Sequence, residues 1–238
     1  MSRPFNEYYL VAYLANLTSP AGSKANLFFE TYMSSAGGPA GDGTYPIHKT
    51  YGDYDLLTDQ TSKFMSSFIP QFCYYLAKGY QNNQYYTDMN TRWLKADKLF
   101  WSLKLKESST IWGTPVLNRT WGAGAGPCPP PNWYCVDRIA KSDDLVVSAA
   151  IMAGFLPNAD TEELREEINS QLEWMYENDV CAYPVRLDTG AEHKILWRCS
   201  IKQQDWRCPS ADSIDFSTMI LGFATSFLPA DFYMNYAA

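Results

Sequence analysis

The chain has 238 residues, enough for one sizeable domain with a true core. Hydrophobic residues make up 46% and charged ones 19%, a globular balance. The formal charge of −7 argues against nucleic acid or an anionic membrane surface as partner, since both need clustered lysine and arginine. The longest apolar run, Leu145 to Leu156, has 12 residues, too short to cross a bilayer.

In chain order, the sequence predicts helices joined by long loops. The first helix runs from about Asn6 to Leu17 and stops before Ser19-Pro20, and a short second one lies near Ala25 to Met33. Residues 34 to 60 are rich in Gly, Pro, Asp and Tyr, a loop too long to be an idle connection. Within it, Asp53, Asp55 and Asp59 read as an ordinary acidic turn in preference to a calcium loop. A third helix covers about Thr61 to Ala77, with Phe64, Phe68 and Phe72 as a core row and a kink at Pro70. A fourth, about Tyr86 to Leu103, turns Met89, Trp93 and Phe100 to the core.

A second long loop follows, WGTPVLNRTWGAGAGPCPPPNWYCVDRI, dense in Gly, Pro and Trp. The next segment, from Ser142 or Asp143 to Leu156, is apolar on all sides and reads as a buried helix. Asp160-Thr-Glu-Glu163 forms a capping box for a sixth helix whose stripe is Leu164, Ile168, Leu172 and Met175. Short strands are expected near Cys181–Leu187 and Lys194–Cys199. A seventh, nearly all-apolar helix runs from about Asp212 to Leu228 and carries one interior carboxylate, Asp215.

Six cysteines and two sequons, at Asn16 and Asn118, point together to the secretory pathway and an extracellular location. Two cysteine pairs are close in sequence and lie in loop contexts, Cys128–Cys135 and Cys199–Cys208. Neither has metal or redox spacing, so local disulfides are expected. Cys73 and Cys181 either pair across the fold or stay buried as thiols. The opening Met-Ser-Arg-Pro-Phe has no apolar signal-peptide core, so the chain reads as a piece of a longer secreted protein.

With two histidines and no paired-histidine motif, no metal is expected, and no phosphate loop or dinucleotide fingerprint implies a cofactor. No G-x-S-x-G elbow is present either. What remains are carboxylates on apolar helices. Glu7 and Asp215 stand near the starts of helices at opposite ends of the chain. Read on spacing alone, each suits a helix N-terminus, where the dipole stabilises an anion. Brought together, they would form the acid and base of a glycoside hydrolysis. The chain is also heavy in aromatics, with 8 Trp, 17 Tyr and 12 Phe. Trp112, Trp121, Trp133 and Tyr134 cluster in the Gly/Pro loop, either as sugar-stacking platforms or as a stapled loop packing on itself.

Several segments resemble the glycoamylase-like superfamily in the right order: FNEYYLVAYLANLTSP, FMSSFIPQFCYYL with YYTDMNTRWLKADKLFWSL, IWGTPVLNRTWGAGAGP, DDLVVSAAIMAGFLP and SIDFSTMILGFATSF. The resemblance implies a mainly all-α, (α/α)6-toroid-like domain over residues 1–238, possibly incomplete, with long disulfide-stapled loops. It implies an inverting glycosidase of the endo-β-1,2-glucanase type acting on a β-glucan. Glu7 would correspond to the acid and Asp215 to the base, while Asp137 and Arg138 resemble substrate-contacting positions by location. The toroid needs more helices than the seven expected here. Half a toroid would leave apolar faces for a missing N-terminal segment or a homo-oligomer to cover. A non-catalytic carbohydrate-binding or filament-forming glycoprotein is the alternative.

Overall fold

The structure is a computed structural model. It describes residues 14–27, 29, 49–56, 67, 70, 71, 84–105, 110, 111, 114, 115, 122, 123, 125–131, 134–136, 146–186, 189, 190, 192–201, 203, 205, 206 and 208.

The longest element is the helix α1, Gln84–Leu105. Its 22 residues span about 33 Å at 1.5 Å per residue. Apart from Thr91, the stretch from Met89 to Phe100 lacks β-branched residues, which favours helix. Met89, Trp93, Leu94, Ala96, Phe100 and Trp101 are all buried, a stripe wider than the three positions expected from the periodicity. Each large side chain so buried contributes about 1.5–3 kcal/mol of transfer free energy.

α1 meets different neighbours on different sides. Before it in the chain, β1 (Lys49–Tyr51) and β2 (Tyr54–Leu56) form an antiparallel hairpin in which Tyr51 opposes Tyr54. Gly52 opens the two-residue turn at φ +57°, and a Cβ there would come within 2.5 Å of Leu99 Cδ2 on α1. Tyr51 also packs its ring on Phe100, centroids 6.2 Å apart. Asp53 and Asp55 therefore belong to a tight hairpin, and Asp55 Oδ1 accepts a hydrogen bond from Thr50 Oγ1 at 2.9 Å. This is the acidic-turn reading; Asp59 lies outside the described residues. One turn around α1, Thr91 Oγ1 donates to the carbonyl of Asn158 at 3.1 Å. Lys95 and Lys98 pair with Asp160 and Glu167 at 2.5 and 2.6 Å. The spacing of 91, 95 and 98 puts all three on one face, so α1 lies along the segment that leads into the next long helix.

Between them come short antiparallel ladders: β3 (Thr110–Ile111) with β4 (Thr114–Pro115), and β5 (Ala125–Pro127) with β6 (Tyr134–Val136). The apolar run near Val146 corrects the expectation. It is buried from Val146 to Leu156, but this part is not one helix. Val146–Ser148 is a strand, β7, followed by a short helix α2, Ala149–Gly154, and a 3-10 turn at Leu156–Asn158. Val146 and Val147 are β-branched, and a partner strand, β10 (Arg198–Ser200), satisfies their backbone. An all-round apolar run suits either element, and here the partner decides.

Helix α3, Glu162–Glu177, is close to its expectation, but its cap moves by one residue. Thr161 is the N-cap, its hydroxyl accepting from Leu164 N at 3.2 Å. Asp160 is instead drawn away to Lys95. The buried face is Leu164, Ile168, Gln171 and Met175, with Leu172 half-buried. β8 (Ala182–Arg186) and β9 (Glu192–Leu196) then pair in register from Ala182↔Leu196 to Arg186↔Glu192, as the expected strands in this region require.

The cysteines differ from expectation. Cys199 is not bonded to Cys208: it forms a disulfide with Cys181, Cα atoms 5.0 Å apart, and Cys208 is a free thiol. The register explains the switch. Trp197 N–H donates to the Cys181 carbonyl at 2.7 Å, and Ala149 N–H donates to Trp197 O at 3.3 Å. The strand that carries Cys199 is thus laid against both the exit of α3 and β7. Cys128 is disulfide-bonded; the side chain of Cys135 and all of Cys73 lie outside the described residues.

Helix therefore dominates the described residues, but it shares them with ten short strands in five two-stranded ladders. The ladders are additions to the mainly all-α expectation.

Candidate functional site

The predicted acid and base, Glu7 and Asp215, lie outside the described residues, as do Trp112, Trp121, Trp133, Asp137, Arg138 and Asn118. Tyr134 opens β6, its backbone opposite Pro127. What the structure does describe is the root of the aromatic loop that holds most of these residues.

That root is built on Asp97. It lies in the middle of α1, one turn after Trp93, and is fully buried. Its Oδ1 accepts from Gly122 N–H at 2.9 Å, and its Oδ2 accepts from Ala123 N–H at 2.8 Å and from the Ser67 hydroxyl. An ionised carboxylate only accepts, and three donors converge on this one. Hydrogen bonds to a charged group are worth about 1.5–3 kcal/mol each.

The loop's own backbone completes the arrangement. Gly122 O accepts from Ser148 N–H of β7 at 3.0 Å, and Ala123 O accepts from Ser67 N–H at 3.2 Å. Both peptide groups of both residues are therefore satisfied by the core, leaving no backbone polar group of the root to seek water. Gly122 is required here on two counts. Its φ is +133°, and a Cβ would stand 2.1 Å from Ser148 O. Ala123 is fully buried. Nearby in the chain, four positions after Ser67, Gln71 Nε2 donates to Ile151 O at 2.8 Å. Ser67 is thus tied to the loop root and Gln71 to α2.

Sequence reasoning missed Asp97, although the signal was present. The residue falls on the stripe of Met89, Trp93 and Phe100, the same pattern of a carboxylate on an apolar helical face that singled out Glu7 and Asp215. A carboxylate in a helix middle carries that signal as much as one near a helix start.

Of the sequon asparagines, Asn16 is half-buried within a helical segment at 14–18. Its Oδ1 accepts from Asn26 Nδ2 at 2.6 Å, and Thr18 Oγ1 donates to Leu14 O at 2.9 Å. A glycan joined to Asn16 Nδ2 would leave that oxygen free to keep its hydrogen bond. Among the described residues, no group of three His, Cys, Asp or Glu could hold a metal ion, and no helix is long and apolar enough to cross a membrane.

No family model matches the chain, and no curated protein matches it. Among solved structures, the chain is similar to a crystal structure of a candidate glucoamylase from Bacteroides uniformis, with a TM-score of 0.56 and 14% identity. The likeness covers 93% of this chain and 48% of that one. At this identity it shows the fold alone, which is glucoamylase-like. The chain spans about half the length of that structure.

Proposed function

We propose that the chain is part of a secreted glycoside hydrolase-like protein that acts on a carbohydrate, with a β-glucan as its substrate. The observation that carries this reading is the fold likeness to a candidate glucoamylase over 93% of the chain. Glu7 is the general acid and Asp215 the base of an inverting mechanism. The acid protonates the leaving oxygen while the base activates water on the opposite face of the sugar. Trp112, Trp121, Trp133 and Tyr134 offer stacking faces to sugar rings, with Asp137 and Arg138 as polar contacts beside them. The disulfide between Cys181 and Cys199 supports an oxidising, extracellular setting. Residues 1–238 are read as one helical domain of a longer chain.

The test compares wild type with Glu7→Gln on soluble β-glucans of several linkages, reading reducing-end release and thermal stability together. Loss of hydrolysis by about a hundredfold or more at unchanged stability is the expected result for a general acid. Undiminished hydrolysis in Glu7→Gln would sink the assignment. A second reading is a non-catalytic carbohydrate-binding or filament-forming module that keeps the fold. Glucan binding without turnover in the wild type would select it.

A further inference from the structure

Asn16 stands in the sequon Asn16-Leu17-Thr18, and the structure fixes how its side chain faces. Residues 14–18 are helical, Gly22 turns the chain at φ +75°, and residues 24–27 form a second helical stretch. Asn26, on that second stretch, joins the two. Its Oδ1 accepts from Gly22 N–H at 3.0 Å, and its Nδ2 donates to Asn16 Oδ1 at 2.6 Å. The order of these bonds is forced. A backbone N–H only donates, so the Asn26 atom facing Gly22 is the oxygen and the atom facing Asn16 is the amide nitrogen. The Asn16 atom that meets it is then the oxygen, and Asn16 Nδ2 is turned away from Asn26.

That nitrogen is available. Among the described residues nothing accepts a hydrogen bond from it. Its surroundings are open: Leu14, Leu17 and Leu27 are 50%, 61% and 52% exposed, so a bulky hydrated group attached there meets solvent and not packed core. Thr18 is exposed too, and among the described residues its hydroxyl bonds only within its own helix, to the carbonyls of Leu14 and Ala15. An N-glycosidic link replaces one Nδ2 hydrogen by a sugar carbon and leaves the carbonyl oxygen an acceptor. The bond from Asn26 therefore survives attachment. Because that bond holds the planar amide, the first sugar leaves the surface in one direction.

We propose that Asn16 carries an N-linked oligosaccharide and that Asn26 sets the direction in which it projects. The proposal rests on the secreted part of the reading under Proposed function. The donor is a lipid-diphosphate-linked oligosaccharide of the secretory membrane. Asn16 Nδ2 bonds to C1 of the first sugar, and the bond from C1 to the diphosphate oxygen breaks. One amide proton passes to the released lipid diphosphate, and nothing is oxidised or reduced. The transfer needs a hydroxyl residue two positions on, which Thr18 supplies.

The experiment takes the whole chain from its own source, alongside wild type, Thr18→Ala, Thr18→Ser and Asn26→Ala secreted from a eukaryotic host. The readout is the mass of the tryptic peptide ending at Lys24, before and after peptide-N-glycosidase. In the native-source protein most of this peptide should carry hexose and N-acetylhexosamine units that the glycosidase removes. Thr18→Ala keeps Asn16 and its bond to Asn26 but breaks the sequon, so its peptide should be bare. Thr18→Ser should restore the addition. Asn26→Ala keeps the sequon, so occupancy should stay within about twofold of wild type, since transfer reads the sequon and not the tie. The N-acetyl methyl of its first sugar, ordered in wild type by NMR relaxation, should become freely mobile. Unchanged order in Asn26→Ala overturns the positioning role. A native-source protein that is exported with Cys181 and Cys199 linked, yet yields a bare Lys24 peptide, overturns the glycan. A native-source protein held inside the cell with both cysteines as thiols fails the secretion reading itself, and this inference falls with it.

Discussion

Replacing both Cys181 and Cys199 by Ala should lower the stability of the chain by about 3 kcal/mol. The bond joins residues 18 apart in sequence. In the chain-entropy treatment, closing a loop of that length removes about 11 cal/mol/K from the unfolded ensemble, or about 3 kcal/mol at 25 °C. For a chain of this size, that corresponds to a fall in Tm of about 6–12 °C. Both sulfur atoms lie in fully buried residues, so the cavities left behind add to the loss. The double variant is needed, because a single replacement would free one thiol to capture Cys208. The assay is a calorimetric melt of the double variant against wild type, with Cys208→Ser as a control that leaves Tm unchanged. Tryptic mapping without reduction should recover a peptide linking Cys181 to Cys199. A double variant that melts with wild type, or a mapped link between Cys199 and Cys208, would refute both the pairing and the register behind it.

Two further outcomes follow from single contacts. Thr161→Ala should cost about 1 kcal/mol, since the hydroxyl caps the N–H of Leu164; circular-dichroism melts that coincide with wild type would remove Thr161 from the cap. Tyr51 is packed against Phe100, and burial holds its hydroxyl above the ordinary value of 10.0. The unfolded chain then loses this proton first, so stability is intact below pH 10 and falls as the pH rises from there towards the folded value. Urea melts between about pH 8 and 11 should show a steeper alkaline decline for wild type than for Tyr51→Phe, and parallel declines would contradict it.

Where periodicity and chemistry agreed, the sequence was readable. α1 sits within two residues of its expected ends, and α3 starts at its expected capping box, because their apolar spacing has one helical period. The error in the α3 cap is instructive: both Asp160 and Thr161 can cap, and the tie is broken by Lys95, 65 residues away. Val146–Ser148 was misread for a similar reason, since its partner β10 comes some 50 residues later in the chain. The β1–β2 hairpin announces itself in Tyr-Gly-Asp-Tyr, but the Gly- and Pro-rich surroundings masked a two-residue turn. Cys199 pairs with the more distant Cys181 because strand register outranks nearness along the chain. Asp97 was legible as a carboxylate on an apolar stripe, but its partners were not, because backbone N–H groups leave no trace in residue type. The residues proposed for chemistry, Glu7 and Asp215, stand outside the described residues.

The tie at Asp97 also bears on whether the chain can be divided. Its participants enter in the order Ser67, Asp97, Gly122 with Ala123, and Ser148. A cut made anywhere between 67 and 148 separates at least one from the rest. A fragment ending after α1 keeps the carboxylate and loses its two backbone donors; a fragment starting at the aromatic loop keeps the donors and loses the charge. Neither piece can bury its half at acceptable cost. Complementary fragments split between α1 and Gly122 should therefore be insoluble apart and recover together when mixed, the behaviour of a unit whose halves share a buried charge and its donors.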